Sequence, residues 1–371
     1  MGKERCKDSG LNSFHGSFLY EQAVPQDHFW IKLNQVIDWR RFTRKLLKYY
    51  RGRGEIGQAP YNPTLILKML LLSHLFNISE RQTEEVVNDS LSAKCFVGLA
   101  ANERAPDHST LTVFKDRLIE KEGTKAYEEL FNEMVKIAQE KGVKFGKVQI
   151  IDSVHTVADV NIGKDKARQK EGKPPRDGDA CWGVKGEKVV WSNGKRRKET
   201  EYFYGYKDQV SLNAEAEIIT SVKPGYGDEY DGRYLPYLVE RDLKKGIGIE
   251  TVAADRAYDD GENHYFLETK GKSSAIRLHD YRTEKKDKNK EGWIKLKESK
   301  EYQEGLKERY KIERKFGEMK KWHGFGRCRY LGLLKHAIQC YLTCMVVNLK
   351  RIVKLLTGTG FREETRSYLR A

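Results

Sequence analysis

The stretch Lys147-Val148-Gln149-Ile150-Ile151-Asp152 decides the fold, because the spacing of apolar residues changes there. Before it they recur at helical spacing. Residues 29–50 carry Trp30, Leu33, Val36, Ile37, Trp39, Phe42 and Leu46 on a 3.6-residue period, and a break follows at 52–57. Asn62 then predicts an N-cap with Pro63 at the first helical position, opening a helix buried on most faces over 65–76. Ser79 and Gln82 have capping-box spacing for a helix running to Leu91. Asp107 caps a further helix, and 126–139 is amphipathic. The short turn at 77–79 also fits a helix-turn-helix.

After Lys147 the period falls to two. Residues 148–151 predict a buried strand ending at Asp152, and 155–160 alternate like its neighbour. A Gly-, Pro- and Lys-rich loop over 163–179 leads to a hairpin whose Asn193-Gly194 suits a type I′ turn. Strands at 201–212 and 217–222, a helix at 234–243, a strand at 249–252 running into Asp255, a helix at 261–270 and a strand at 274–277 follow. A dense charge run (282–300) precedes helices at 309–320 and 330–356. This pattern predicts an all-α N-terminal domain (1–145), then an α/β domain (146–371) with a β-hairpin excursion near 180–212.

The chain has 371 residues, with 69 Lys+Arg against 54 Asp+Glu. The net charge of +15 points to a polyanionic partner, nucleic acid first. At 39% hydrophobic and 11% aromatic the chain is expected to fold. Cys6, Cys95, Cys181, Cys328, Cys340 and Cys344 contain no Cys-x2-Cys pair, which argues against zinc and for reduced thiols in a cytoplasmic compartment, nucleoid-associated if the partner is DNA. The start is polar, with no secretory h-region, and the apolar runs at 65–76 and 337–347 are too short to span a membrane.

Three acids stand out. Asp152 and Asp255 each follow an apolar strand. Glu313 lies on the 309–320 helix, where Arg309, Glu313 and Lys320 share one face beside an apolar stripe of Ile312, Phe316 and Met319. Any one of these acids has an ordinary explanation as a turn or surface residue. Three of them in a basic chain favour a divalent metal, since Mg2+ takes hard oxygen ligands, few of them from protein. Two ions roughly 3.5–4 Å apart suit phosphodiester chemistry, activating the attacking oxygen and stabilising the leaving one. Arg309 and Lys320 would supply cations to the scissile strand.

The chain resembles the DDE transposases of bacterial and archaeal insertion sequences, in the branch with a Tyr-Arg-Glu-Lys signature. The matching stretches are Arg104-Ala-Pro-Asp-His-Ser-Thr-Leu111, Ile151-Asp152-Ser153, Asp177-Gly-Asp-Ala-Cys-Trp182-Gly183, Tyr204-Gly-Tyr-Lys207, Ala254-Asp255-Arg-Ala-Tyr258-Asp259 and the Arg309/Glu313/Lys320 helix. The resemblance implies an RNase H-like catalytic domain with the DDE triad at Asp152, Asp255 and Glu313. It also implies Mg2+, with Mn2+ substituting, and a homodimer on double-stranded DNA comprising terminal inverted repeats and target. The signature tyrosine would fall three residues before Arg309, where the chain has Leu306; Tyr302 and Tyr310 do not have its spacing.

Further DNA contacts are expected from Lys207 and from Lys195, Arg196 and Arg197 beside the hairpin tip. Trp182 and Trp191 fit the core better than base stacking, and His155 and His323 are minor candidates near the site. The function expected is cleavage at element ends and 3′-OH strand transfer. The alternatives are a catalytically inactive or domesticated transposase acting as a DNA-binding protein, and a stand-alone RNase H-like nuclease. There is no His-apolar-His pair of the kind a tyrosine-nucleophile transposase would need.

If phosphate contacts dominate binding, affinity for duplex DNA falls log-linearly with salt, with a slope of about −0.9 per phosphate contacted. Titrations between roughly 50 and 200 mM salt check this, and a flat response would remove nucleic acid as the main partner.

Overall fold

The computed structural model describes residues 14–50, 59–192, 195–284 and 288–361. The break expected at 52–57 and the Asn193-Gly194 turn lie outside them. By its contacts the chain divides into two units, residues 1–143 with 341–371, and residues 144–340.

The first unit holds α1 (Phe14–Ala23), α2 (Phe29–Val36), α3 (Trp39–Leu47), α4 (Pro63–Phe76), α5 (Glu80–Asp89), α6 (Leu91–Val97), α7 (His108–Glu122) and α8 (Lys125–Glu140). Every residue of α4 is buried, and the Asn62 side chain accepts from Thr64 N at 2.9 Å as expected. Even Lys68 is enclosed: its ammonium donates to Asn34 Oδ1 and Phe96 O and lies over the Trp39 and Phe96 rings. Burial pulls that ammonium down to about 7.

The helix expected over 29–50 is two, because Ile37 turns extended and Asp38 caps a new start. The capping box at Ser79 and Gln82 is present, but Ser90 ends α5 and caps α6. The helices expected on either side of 77–79 are α4 and α5; α4 is buried throughout, and α5 exposes Arg81, Glu85 and Asp89. Glu80 pairs with Lys115 and Glu84 with His108 on α7.

The second unit contains β1 (Val148–Val157), α9 (Ile162–Lys170), β2 (Cys181–Ser192), β3 (Lys195–Asn213), β4 (Ile219–Tyr226), α10 (Tyr234–Lys244), β5 (Thr251–Ala254), α11 (Gly261–Thr269), β6 (Ser273–Ile276), α12 (Lys290–Glu298), α13 (Lys300–Glu308) and α14 (Tyr310–His323). The loop expected at 163–179 therefore begins as a helix. The long final helix, α15 (Leu333–Thr357), starts in this unit, but from Tyr341 it belongs to the first. There it contacts the helices of that unit: Thr343 Oγ1 lies 3.4 Å from His74 Nδ1 and the Tyr341 ring lies 6.1 Å from that of Phe131. The expected 146–371 domain thus gives up its C-terminal part to the helical unit.

The sheet runs β2-β3-β1-β5-β6, with β4 also on β3. β1 is antiparallel to β3 and parallel to β5, and β5 is parallel to β6. Without the β2 ribbon, antiparallel β4-β3-β1 followed by parallel β5 and β6 is the RNase H-like mixed sheet. One face packs Ile151, Val252, Ala254 and Ile276 against Leu235, Leu238 and Val239 of α10 and Leu267 of α11. On the other face, α13 lies so close that a Cβ on Gly305 would come 2.5 Å from Ala275 Cβ and 3.2 Å from Thr251 Cγ2.

Gly305→Ala gains about 1 kcal/mol of helix propensity but overpacks this contact, so it should destabilise by a net 1 to 3 kcal/mol or so. A melting temperature at or above wild type would show that α13 can back away from the sheet.

Candidate active site

β1 is one strand, not two, because β3 pairs with it continuously from Gln149 to Val157. Asp152 therefore lies inside the strand rather than at its end. The parallel neighbour β5 stops at Ala254, opposite Ile151. Asp152 and Asp255 are the first residues past that shared boundary, where β5 ends and β1 continues.

Each aspartate fixes itself with one oxygen. Asp152 Oδ1 accepts from Ser153 N at 2.8 Å, and Asp255 Oδ1 accepts from Ala257 N at 2.8 Å as the cap of the 3-10 turn Arg256–Tyr258. Asp152 Oδ2 faces the Arg309 guanidinium at 3.5 Å. Burial, and then the charge of Asp255, push the Asp152 carboxyl up to about 7, against the pull of Arg309. Burial likewise raises Asp255.

Arg309 sits at the junction of α13 and α14, only 14% exposed at its side chain. It reaches Glu313 at 3.7 Å as well as Asp152. Its Nε is buried without a hydrogen-bond partner, which suits an incoming anionic oxygen. Glu313 is 63% exposed one turn along. Three turns along, Lys320 Nζ lies 3.4 Å from His155 Nε2. Burial, then the charge of Lys185, lowers Lys320; burial, then Lys320, brings His155 down to about 4, so it meets the ammonium as a neutral acceptor. Phe203 stacks on His155 at 4.8 Å.

The remaining expectations divide. Lys207 is 13% exposed at its side chain, and its ammonium is committed to Glu229 O at 2.9 Å and Asp231 Oδ1 at 3.2 Å, so it is an internal residue rather than a surface cation. Arg196 and Arg197 are exposed on β3, opposite Trp191 and Val190, and Lys195 opens that strand. Trp182 and Trp191 are 50% and 72% exposed, so the core placement expected for them does not hold. With Val184, Val189 and Tyr202, also exposed, they line one face of the ribbon. His323 is fully buried. Tyr302 is buried with its hydroxyl accepting from Leu278 N, while Tyr310 is exposed with Arg314 over its ring, so neither stands in for the tyrosine missing at Leu306. His155 as the partner of Lys320, and Asp231 beside Lys207, carry no motif in the sequence that would single them out.

Among the described residues, only Glu84, Asp107 and His108 bring three possible metal-ligand atoms within 4.8 Å of one another. All three already have partners there: Glu84 accepts from His108, and Asp107 caps α7. The Asp152, Asp255 and Glu313 set is more open, with Arg309 between Asp152 and Glu313. Its two half-buried aspartates are hard oxygen donors raised by burial and, for Asp152, by the charge of Asp255, and a divalent cation would offset that cost. The donor set fits such an ion.

Two family models match this chain. Residues 18–117 match "Transposase domain (DUF772)" and residues 150–349 match "Transposase DDE domain". The chain belongs to the DDE transposases, enzymes that cleave DNA and transfer its strands with divalent metal ions. Among solved structures, a piggyBac transposase synaptic complex with hairpin DNA is similar at 10% identity and a TM-score of 0.41, over 91% of this chain and 76% of that one. A Mos1 mariner paired end complex with Mn is similar at 12% identity and a TM-score of 0.20, over 93% and 91%. No helix among the described residues is long and apolar enough to cross a membrane.

The metal-free protein yields a stability test. A carboxyl whose folded pKa is raised stabilises the fold only while protonated, so the contribution of Asp152 falls as pH rises from about 4 toward about 7. Without metal at pH 8, Asp152→Asn should melt at or above wild type. Glu313→Gln should stay within about 0.5 kcal/mol, its one ion pair being exposed. A clear drop for either would make that residue a structural ion-pair partner.

Proposed function

We propose that Asp152, Asp255 and Glu313 are the catalytic triad, holding two Mg2+ ions, or Mn2+ in their place, for cleavage at the element ends and 3′-OH strand transfer into target DNA. The observation that carries this is the pair of desolvated aspartates where β5 leaves β1, with Arg309 at Asp152 holding a buried Nε that has no hydrogen-bond partner. When bound, the ions activate the attacking oxygen and stabilise the leaving one.

The protein's own groups do the positioning. Arg309 draws a phosphate oxygen toward Asp152 and Glu313, and its anchorage at the α13–α14 junction fixes the direction of approach. Lys320, held against neutral His155, supplies a second cation on the same helix. Arg196, Arg197 and Lys195 on the ribbon are proposed to grip the DNA backbone. Terminal inverted repeats and target DNA are the substrates of this reading, the working form is a homodimer on DNA, and the setting is the cytoplasmic nucleoid.

The test uses duplexes taken from the DNA flanking the gene, searched for inverted repeats. Asp152→Asn, Asp255→Asn and Glu313→Gln should each keep end binding and lose metal-dependent cleavage and joining by more than about 100-fold, since even outer partners of metal ligands are worth about 10–100-fold. Wild type that binds the ends but never cuts them in Mg2+ or Mn2+ would make the chain a DNA-binding protein. Cutting without end preference or joining would make it a nuclease.

A further inference from the structure

A further acidic residue is tied to the Asp255 turn by hydrogen bonds. Asp231 opens the 3-10 turn Asp231–Arg233 and is 16% exposed at its side chain. Its Oδ1 accepts from Gln209 Nε2 at 2.6 Å and pairs with Lys207 Nζ at 3.2 Å. The other end of the Gln209 amide, Oε1, accepts from the Tyr258 hydroxyl at 2.7 Å. A carboxylate can only accept and Oε1 can only accept, so both partners fix the same orientation of the Gln209 amide.

Tyr258 is fully buried and closes the turn that Asp255 caps, its N–H donating to Asp255 O at 3.2 Å. Asn263 Nδ2 ties the two turns through their backbones, donating to Gly232 O and Tyr258 O at 3.0 Å each. One hydrogen-bonded line thus runs from the Asp255 turn through the sheet to Asp231. Burial is the main cause of the raised Asp152 and Asp255 carboxyls, and the charge of Asp231 acts in the same direction.

We propose that Asp231 is a positioning carboxylate of the active site, held in register with Asp255 by Tyr258 and Gln209, whose negative charge strengthens cation binding at Asp152 and Asp255. The inference rests on the triad reading above. Lys207 balances the device, because its ammonium partly cancels the charge that Asp231 presents. Removing either partner breaks the same ion pair, but the two removals change the local charge in opposite directions.

The test is Mn2+ binding to the full-length protein without DNA, read as free Mn2+ by electron paramagnetic resonance. Asp231→Asn should weaken Mn2+ binding by about tenfold or more, the range for outer partners of metal ligands. Lys207→Met should bind Mn2+ as tightly as wild type or tighter. A merely structural pair would lose affinity in both variants, and that result overturns the proposal, as does wild-type binding by Asp231→Asn. If Asp231→Asn fails to fold, Lys207→Met decides alone, a tenfold loss there sinking the idea. Asp152→Asn is the control: wild-type binding by that variant would remove the triad reading itself, whatever the other two do.

Discussion

The site depends on unequal pairing along β1. Its antiparallel partner β3 follows it for nine residues of register, while its parallel partner β5 leaves after four. A strand paired on one edge only leaves the backbone N–H and C=O groups of its other edge without a neighbouring strand, while its side chains still project from the two faces of the sheet. Asp152 is the first residue in that position, and Asp255 is the first residue after the departing strand. The geometry that gathers two carboxylates follows from the length of β5, four buried residues, Thr251 to Ala254.

Electrostatics then completes what the topology begins. Two aspartates are desolvated together, and the Arg309 guanidinium at Asp152 is held by a helix junction. Close approach of α13 to the sheet, possible because residue 305 has no side chain, sets how far that junction reaches. Packing on one face of the sheet and charge at its edge are therefore linked through Gly305 and Arg309.

Much of this was legible in the sequence because it is local. Caps at Asn62, Ser79 and Asp107, the switch of period at Lys147 and the shared face of Arg309, Glu313 and Lys320 are all set within a turn or a strand. What the sequence hid is set by distant partners. β1 runs through Asp152 because β3, some fifty residues on, supplies the ladder. Lys207 reads as a surface cation until Asp231 and the Glu229 carbonyl claim it. The tryptophans read as core because large aromatics usually are, yet on a ribbon paired along one edge there is no second layer to cover them. Helix breaks at Asp38 and Ser90 were missed because the apolar period continues across both.

That uncovered ribbon has a consequence for colloidal behaviour. Trp182, Val184, Val189, Trp191 and Tyr202 offer one another copy an adhesive strip, while the net charge of +15 holds copies apart. The repulsion is long-ranged only in dilute electrolyte, its screening length shrinking from about 30 Å at 0.01 M to about 8 Å at 0.15 M; the adhesion does not weaken in the same way. Solubility of the isolated protein is thus governed by the ionic atmosphere, and a polyanion that neutralises the chain without masking the ribbon would favour clustering rather than dispersion.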